Sequence, residues 1–193
     1  NAQSLYWVGD GGSWNDASHW SATSGGSGGA GVPTTSNAAI FDANSFATAG
    51  QTVTLTAGAI CNSINWTGVD NNPTLDLAAN LTVSGALATF ADAMSVSGTA
   101  TITFTSGAAT TLNLSNTTKT FGNITFSANT ARTITINSST NSAITQTMGI
   151  LTVGNNANLT INGNGSRVYG GLSFGNSVSF QLLTNSIVNG VTN

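Results

Sequence analysis

The feature that most constrains this chain is a succession of short period-two runs, each closed by Gly, Asn or Ser. "QTVTLTAG" (51–58), "NLTVSG" (80–85), "TATITFTSG" (99–107), "TTLNLSN" (110–116), "GNITFSA" (122–128), "RTITINSS" (132–139), "GILTVGN" (149–155) and "NLTING" (158–163) all follow this pattern. Alternation places one set of side chains on each face of an extended backbone, so each run reads as a short half-buried strand ending in a turn. The runs also align with one another. Gly122 precedes Ile124 and Phe126, then Ile134 and Ile136; Gly149 precedes Leu151 and Val153, then Leu159 and Ile161. Gly170 precedes Leu172 and Phe174, then Val178 and Phe180, while Asn62 and Gly85 open comparable blocks upstream. The alignment lapses between residues 98 and 122.

A degenerate repeat of twenty-odd residues with Gly and Asn corners predicts an all-β fold, a parallel β-helix or solenoid. Each coil would bury its Ile, Leu, Val and Phe against neighbouring coils, so stability needs neither many charges nor a large globular core. Strands at this spacing also suit an antiparallel β-sandwich, which is the alternative. The division expected is an aromatic N-terminal capping module over residues 1–50 and solenoid repeats over residues 51–193.

Charge then narrows the function. Charged residues are 5% of the chain, against about 25% in an ordinary domain. There is no Glu, and Lys119, Arg132 and Arg167 are the only cations. Binding a polyanion by counterion release needs clustered Lys and Arg, so nucleic acid is not an expected partner. No apolar run reaches the roughly 18 residues of a membrane helix, so membrane insertion is not expected. The lone Cys61 excludes an internal disulfide and reads as a small apolar strand residue. The opening "NAQSLYW" reads as a mature terminus left by signal-peptide cleavage, which predicts an extracellular protein.

The stretch "YWVGDGGSWNDASHWSATSGG" (6–26) is unlike the rest. Trp7, Trp14 and Trp20 stand there with the only histidine, His19, and with Asp10 and Asp16. A solenoid must cover its first coil, because an open end exposes apolar core and unpaired strand edges. Tyr6, Trp7, Trp14, His19, Trp20 and Phe41 are therefore expected to form an aromatic lid, large rings closing an end with few residues. Exposed, the same rings of Trp7, Trp14 or Trp20, or that of Trp66, would instead stack on sugars.

Other chemistry finds little support. A Ser–His–Asp arrangement could use only His19, with Asp16 three residues away, and no serine sits in a nucleophile-elbow motif. Carboxylate pairs for glycoside hydrolysis could be drawn from Asp10, Asp16, Asp42, Asp70, Asp76 and Asp92, but no acid follows residue 92. Structural calcium could be held by Asp10, Asp16 and Asn15, although "GDGGSWND" matches neither an EF-hand loop nor a calcium-binding nonapeptide repeat. The expectation is a non-enzymatic chain without a cofactor.

Residues 6–46, "YWVGDGGSWNDASHWSATSGGSGGAGVPTTSNAAIFDANSF", resemble a module of very large repetitive surface proteins of outer-membrane bacteria. These include gliding-motility adhesins exported by the type IX system, and similar stretches occur in phage fibre-like proteins. The shared elements are Tyr-Trp-Val-Gly, Gly-x-Trp-x-Asp, His-Trp-Ser, a Ser-Gly-Gly loop, Val-Pro-Thr and Phe-Asp-Ala-Asn-Ser-Phe. "NSINWTG" (62–68) matches more weakly, and the remainder matches only in texture. The resemblance implies an extracellular, non-enzymatic adhesin or filament module at the cell surface. Its partners would be surface polysaccharide, other surface or secretion-system proteins, and the remainder of a longer chain beyond Asn193, since "SIVNGVTN" (186–193) lies in mid-texture. A phage tail-fibre module and a carbohydrate-active β-helix enzyme are the alternatives.

Overall fold

The computed structural model describes residues 2–183 and 187–189. The terminal "SIVNGVTN" lies outside these residues except at positions 187–189. The chain is a β-solenoid of about 6 turns, built from parallel stacked coils. It begins with β1 (Gln3–Trp7), β2 (Gly12–Ser13) and β3 (Trp20–Ser21), with a single 3-10 turn, Ala17–His19, leading into β3. Three-stranded coils follow: β4 (Asn37–Ile40), β5 (Thr52–Thr54) and β6 (Ala59–Cys61), then β7 (Ser63–Asn65), β8 (Thr74–Leu77) and β9 (Leu81–Val83). Next come β10 (Leu87–Thr89), β11 (Ser95–Gly98) and β12 (Ile102–Phe104), then β13 (Thr110–Asn113), β14 (Lys119–Thr120) and β15 (Ile124–Phe126). Beyond this the second and third strands fuse. β16 (Arg132–Asn137) is followed by β17 (Thr145–Val153), β18 (Ala157–Asn162) by β19 (Ser166–Phe174), and β20 (Ser179–Leu183) by β21 (Ile187–Asn189).

These strands stack into three sheets. The first runs β20-β18-β16-β13-β10-β7-β4-β1-β3, the second β11-β8-β5-β2 and the third β21-β19-β17-β15-β12-β9-β6, with β14 beside β17. Every pairing described is parallel except β1 with β3, so the sandwich alternative is not the fold. All eight period-two runs contain a strand. The boundary expected at residue 50 falls inside a coil, since β4 precedes it and β5 follows it, while β1 and β4 already belong to the first sheet.

Register turns alternation into continuous interior columns. In the first sheet Leu5, Ala39, Ile64, Ala88, Leu112, Ile136 and Ile161 pair in succession, all buried. Alanine alternates with larger residues along part of this column, which lets long side chains from the facing sheets interdigitate. In the third sheet Cys61, Val83, Phe104, Phe126 and Val153 stack, with the rings of Phe104 and Phe126 4.7 Å apart. Each fully buried Val, Leu, Ile or Phe contributes roughly 1.5–3 kcal/mol. The two prolines, Pro33 and Pro73, lie outside the strands, where no ladder amide is lost.

The corners are held by side-chain amides, with the Asp92 carboxylate among them. The Oδ1 of Asn80 accepts from the backbone N–H of Thr101 at 2.9 Å, and that of Asn123 from Ile150 at 2.8 Å. Asn129 and Asn155 accept from Asn155 and Asn176 in the following coils, at 2.9 and 2.8 Å. Asp92 serves Asn116, and Asn116 serves Thr140, at 2.6 and 3.1 Å. At the end of the first sheet's strands the amides also bond one another. Asn113 donates to Thr89 at 3.1 Å, Asn137 to Asn113 at 2.8 Å and Asn162 to Asn137 at 3.4 Å. Gly98 shows why small corner residues are needed: its φ is +81°, and a Cβ there would sit 2.4 Å from the Leu77 carbonyl oxygen.

Asn137→Ala removes a donor to Asn113 and an acceptor for Asn162, and should destabilise the fold by about 1–3 kcal/mol in denaturant titrations. Thr135→Ala, on the same outer face without a side-chain bond shown, should stay within about 0.5 kcal/mol. Burial also pushes the Cys61 thiol up to about 12 from 9.0. The native state then holds that proton after the unfolded chain has lost it, so stability is fully present below pH 9 and falls as pH rises toward 12. Cys61→Val should flatten that part of the stability-versus-pH curve.

Candidate functional site

The aromatic segment closes the first coil. In β1, Leu5 and Trp7 point inward and Tyr6 stands half-buried on the opposite face. Backbone hydrogen bonding then brings β3 antiparallel onto β1, pairing Trp7 with Trp20 and Tyr6 with Ser21. This covers the edge that a preceding coil would otherwise occupy. The turn between them is shaped by Asp16, whose carboxylate caps the 3-10 turn by accepting from Ser18 N–H at 2.9 Å and from Ser18 Oγ at 2.7 Å. These two bonds, the hydroxyl's first, hold the Asp16 carboxyl below its ordinary pKa.

Inside the turn the rings form one packed plug. Trp7, Trp14, Trp20 and Trp66 are each 0% exposed. Trp20 meets Trp7 edge-on at 5.2 Å and Trp14 at 4.9 Å, while His19 stacks flat on Trp7 at 4.6 Å. Phe41 of the next coil lies 5.8 Å from Trp7 and stacks on Trp66 at 3.7 Å with an interplanar angle of 1°. Phe46 continues this stack. The indole of Trp7 donates to the Asp10 carbonyl at 2.6 Å and that of Trp20 to the Trp14 carbonyl at 2.8 Å. No indole face is left for stacking on a sugar. Tyr6 stands apart, and Trp66, two coils along, joins the plug.

Glycines make room for this packing. A Cβ at Gly12 would lie 2.2 Å from His19 Nε2, so the imidazole seats directly on the backbone, with its Nδ1 2.8 Å from the Val8 carbonyl. The glycine-rich loop at 24–33 folds back over the turn through Gly29 N–H to Ala17 O and Ala30 N–H to Trp20 O, both 2.9 Å. A Cβ at Gly28 would sit 1.7 Å from the Ser18 carbonyl oxygen. Asp10 pins the far side, accepting from Ala47 N–H at 2.7 Å, Thr48 N–H at 2.9 Å and Thr48 Oγ1 at 3.1 Å. The Thr48 backbone bond leads the causes that lower its pKa.

The acids are dispersed along the chain, Asp76 within β8 and the others outside the strands. Asp42 caps Asn44, Asp76 accepts from Ser97 and Asp92 from Asn116. Among the described residues no group of three His, Cys, Asp or Glu side chains is placed to hold a metal ion. Among the described residues no pocket is found either. Asp10 and Asp16 spend their carboxylates on the separate turns just described, and Asn15 lends its own N–H to Ser13.

The cations have gone inside. Lys119, Arg132 and Arg167 are at most 6% exposed, all at inward positions of their strands. Lys119 and Arg167 flank Gln146 in register, a polar column beside the apolar ones. Their donors tie down corner carbonyls: Lys119 reaches Met94 O, Gln146 reaches Ser115 O and Thr117 O at 3.0 and 2.8 Å, and Arg167 reaches Gly165 O and Asn162 O at 2.9 and 3.0 Å. Burial draws the Lys119 ammonium down to about 8, with Asp92 pulling the other way. Strand parity carried this signal in the sequence, since Arg132 keeps step with Ile134 and Ile136.

No family model, curated protein or solved structure matches this chain. The site must therefore be read from its own geometry, which is that of an end-plug. Trp14→Ala should lower stability by about 3–5 kcal/mol in thermal or chemical unfolding, as removal of a fully buried ring does. An unchanged transition would place Trp14 outside the core.

Proposed function

We propose that this chain is a non-enzymatic structural and adhesive module of a bacterial surface filament, with the aromatic plug closing the N-terminal end of a rod. The observation that carries this reading is the division of labour in the side chains. All four tryptophans and the three cations are consumed in the interior. The outside is left with rows of hydroxyls and amides.

The third sheet sets Thr82, Thr103, Thr125, Thr152 and Ser173 in one outward row, rung upon rung. The first sheet sets Thr111, Thr135, Thr160 and Gln181 in another. Rungs repeat at roughly 4.8 Å, so a linear partner meets the same donor and acceptor many times. Each contact is weak and the array is multivalent, which suits attachment to extended polysaccharide at a cell surface. The resemblance of residues 6–46 to modules of gliding-motility adhesins supports an extracellular location and type IX export.

Beads coated with the purified chain test the reading. They should be retained on surface polysaccharide, and the soluble polysaccharide should gain no reducing ends on prolonged incubation. Release of oligosaccharide would assign the chain to catalysis instead, and beads that fail to adhere to polysaccharide or to bacterial cells would remove the adhesive role.

A further inference from the structure

The outer face of the first sheet carries the amide ladder, and that ladder selects a class of ligand. One column there starts at the half-buried ring of Tyr6 and passes through Ile40 and Asn65 to Thr89, Asn113, Asn137 and Asn162. Asn113 and Asn137 each donate one amide N–H to the preceding rung and accept one from the following rung. An asparagine side chain has two N–H donors and two acceptor sites, so one of each is left over on these half-buried residues. Bonding to both neighbours fixes the amide planes, and with them the direction of the spare groups. Charge is absent from this face. The only charged residue in the sheet's described strands, Arg132, is turned inward at 6% exposed.

Recognition across such a face needs complementary charge, donors and acceptors. A face without charge suits an uncharged ligand. Spare N–H and C=O groups repeating at the roughly 4.8 Å rung step suit a linear chain of similar repeat, and β-1,4-linked sugars advance by nearly that distance. A planar amide presents its donor and acceptor at the separation found on asparagine, which a single hydroxyl oxygen does not. We propose that this face binds an extended, uncharged polysaccharide bearing acetamido groups. Its sugars lie along the ladder, with every second acetamido turned toward the asparagines and one sugar ring against Tyr6, an apolar ring with a polar tip. This specificity rests on the polysaccharide reading above and narrows it to one face and one substituent.

The test is retention of the 193-residue chain on chitin and on cellulose, which shares the linkage but lacks acetamido groups. Retention on chitin should be at least about tenfold stronger, and it should hold from low to high salt, since no charge is there to be screened. Thr135→Glu sets bulk and charge beside the ladder and should weaken chitin retention at least about tenfold. Thr125→Glu, in the outward row of the third sheet, should leave it unchanged. Unfolding transitions matched to the parent chain verify both folds, and Thr160→Glu replaces Thr135→Glu on the same face if that variant does not fold. Equal retention on the two matrices, retention that falls with salt, or equal loss from the variants of both sheets would overturn the proposal. So would failure on chitin while coated beads still hold surface polysaccharide, which leaves the broader reading standing; failure on every polysaccharide would remove both.

Discussion

Everything in this structure depends on the parallel hydrogen-bonded stacking of one coil on the next. A parallel ladder satisfies the backbone of each rung only if there is a rung on both sides. That requirement makes the middle of the solenoid simple and its ends demanding. In the middle, in-register pairing brings like side chains together, so an apolar column or an amide column propagates with no further design. At an end, the same pairing leaves a row of unmet donors and acceptors above an open core. The antiparallel β3 and the plug behind it answer that need at the N-terminal side, one by covering the edge and the other by filling the interior.

The scarcity of charge follows from the same constraint. Asparagine on a stacked corner can accept an N–H from the next coil, as Asn80, Asn123, Asn129 and Asn155 do, and can bond its own counterpart, as Asn137 bonds Asn113. A column of like charges at the same spacing would repel along its length. Neutral amides and hydroxyls are thus the polar groups a stack tolerates. The buried Lys119 and Arg167 obey the rule in another way. They do not neighbour each other directly: Gln146 separates them, and each directs its protons at backbone carbonyls.

Much of this was legible in the sequence because parity is a direct geometric signal. Ile134 and Ile136, or Leu159 and Ile161, announce both the strand and its inward face. Where parity was broken by chemistry the reading failed. Lys119 stands at an inward position in a strand of two residues, and it is there, between residues 98 and 122, that the repeat lost its alignment. The plug was legible as composition, three tryptophans within one short segment, but not as topology. Nothing in "HWSA" announces an antiparallel strand, and nothing in "NSINWTG" announces that Trp66 stacks on Phe41 of the adjacent coil. Such contacts depend on how the coils stack, which local pattern does not encode. The first two coils were equally hidden, because the loop at 24–33 separates β1 from β4 and conceals their common register.

The closure of the first coil has a mechanical consequence. In a quasi-linear array each unit is held by its nearest neighbours, so disassembly starts where a unit has one neighbour instead of two. Here one terminus is locked by interlocking rings that bridge successive coils, from Trp7 through Phe41 to Trp66. Peeling therefore does not start at the plugged first coil. Under tension or heat the sealed tip would behave like a riveted seam, holding while plainer coils behind it come apart.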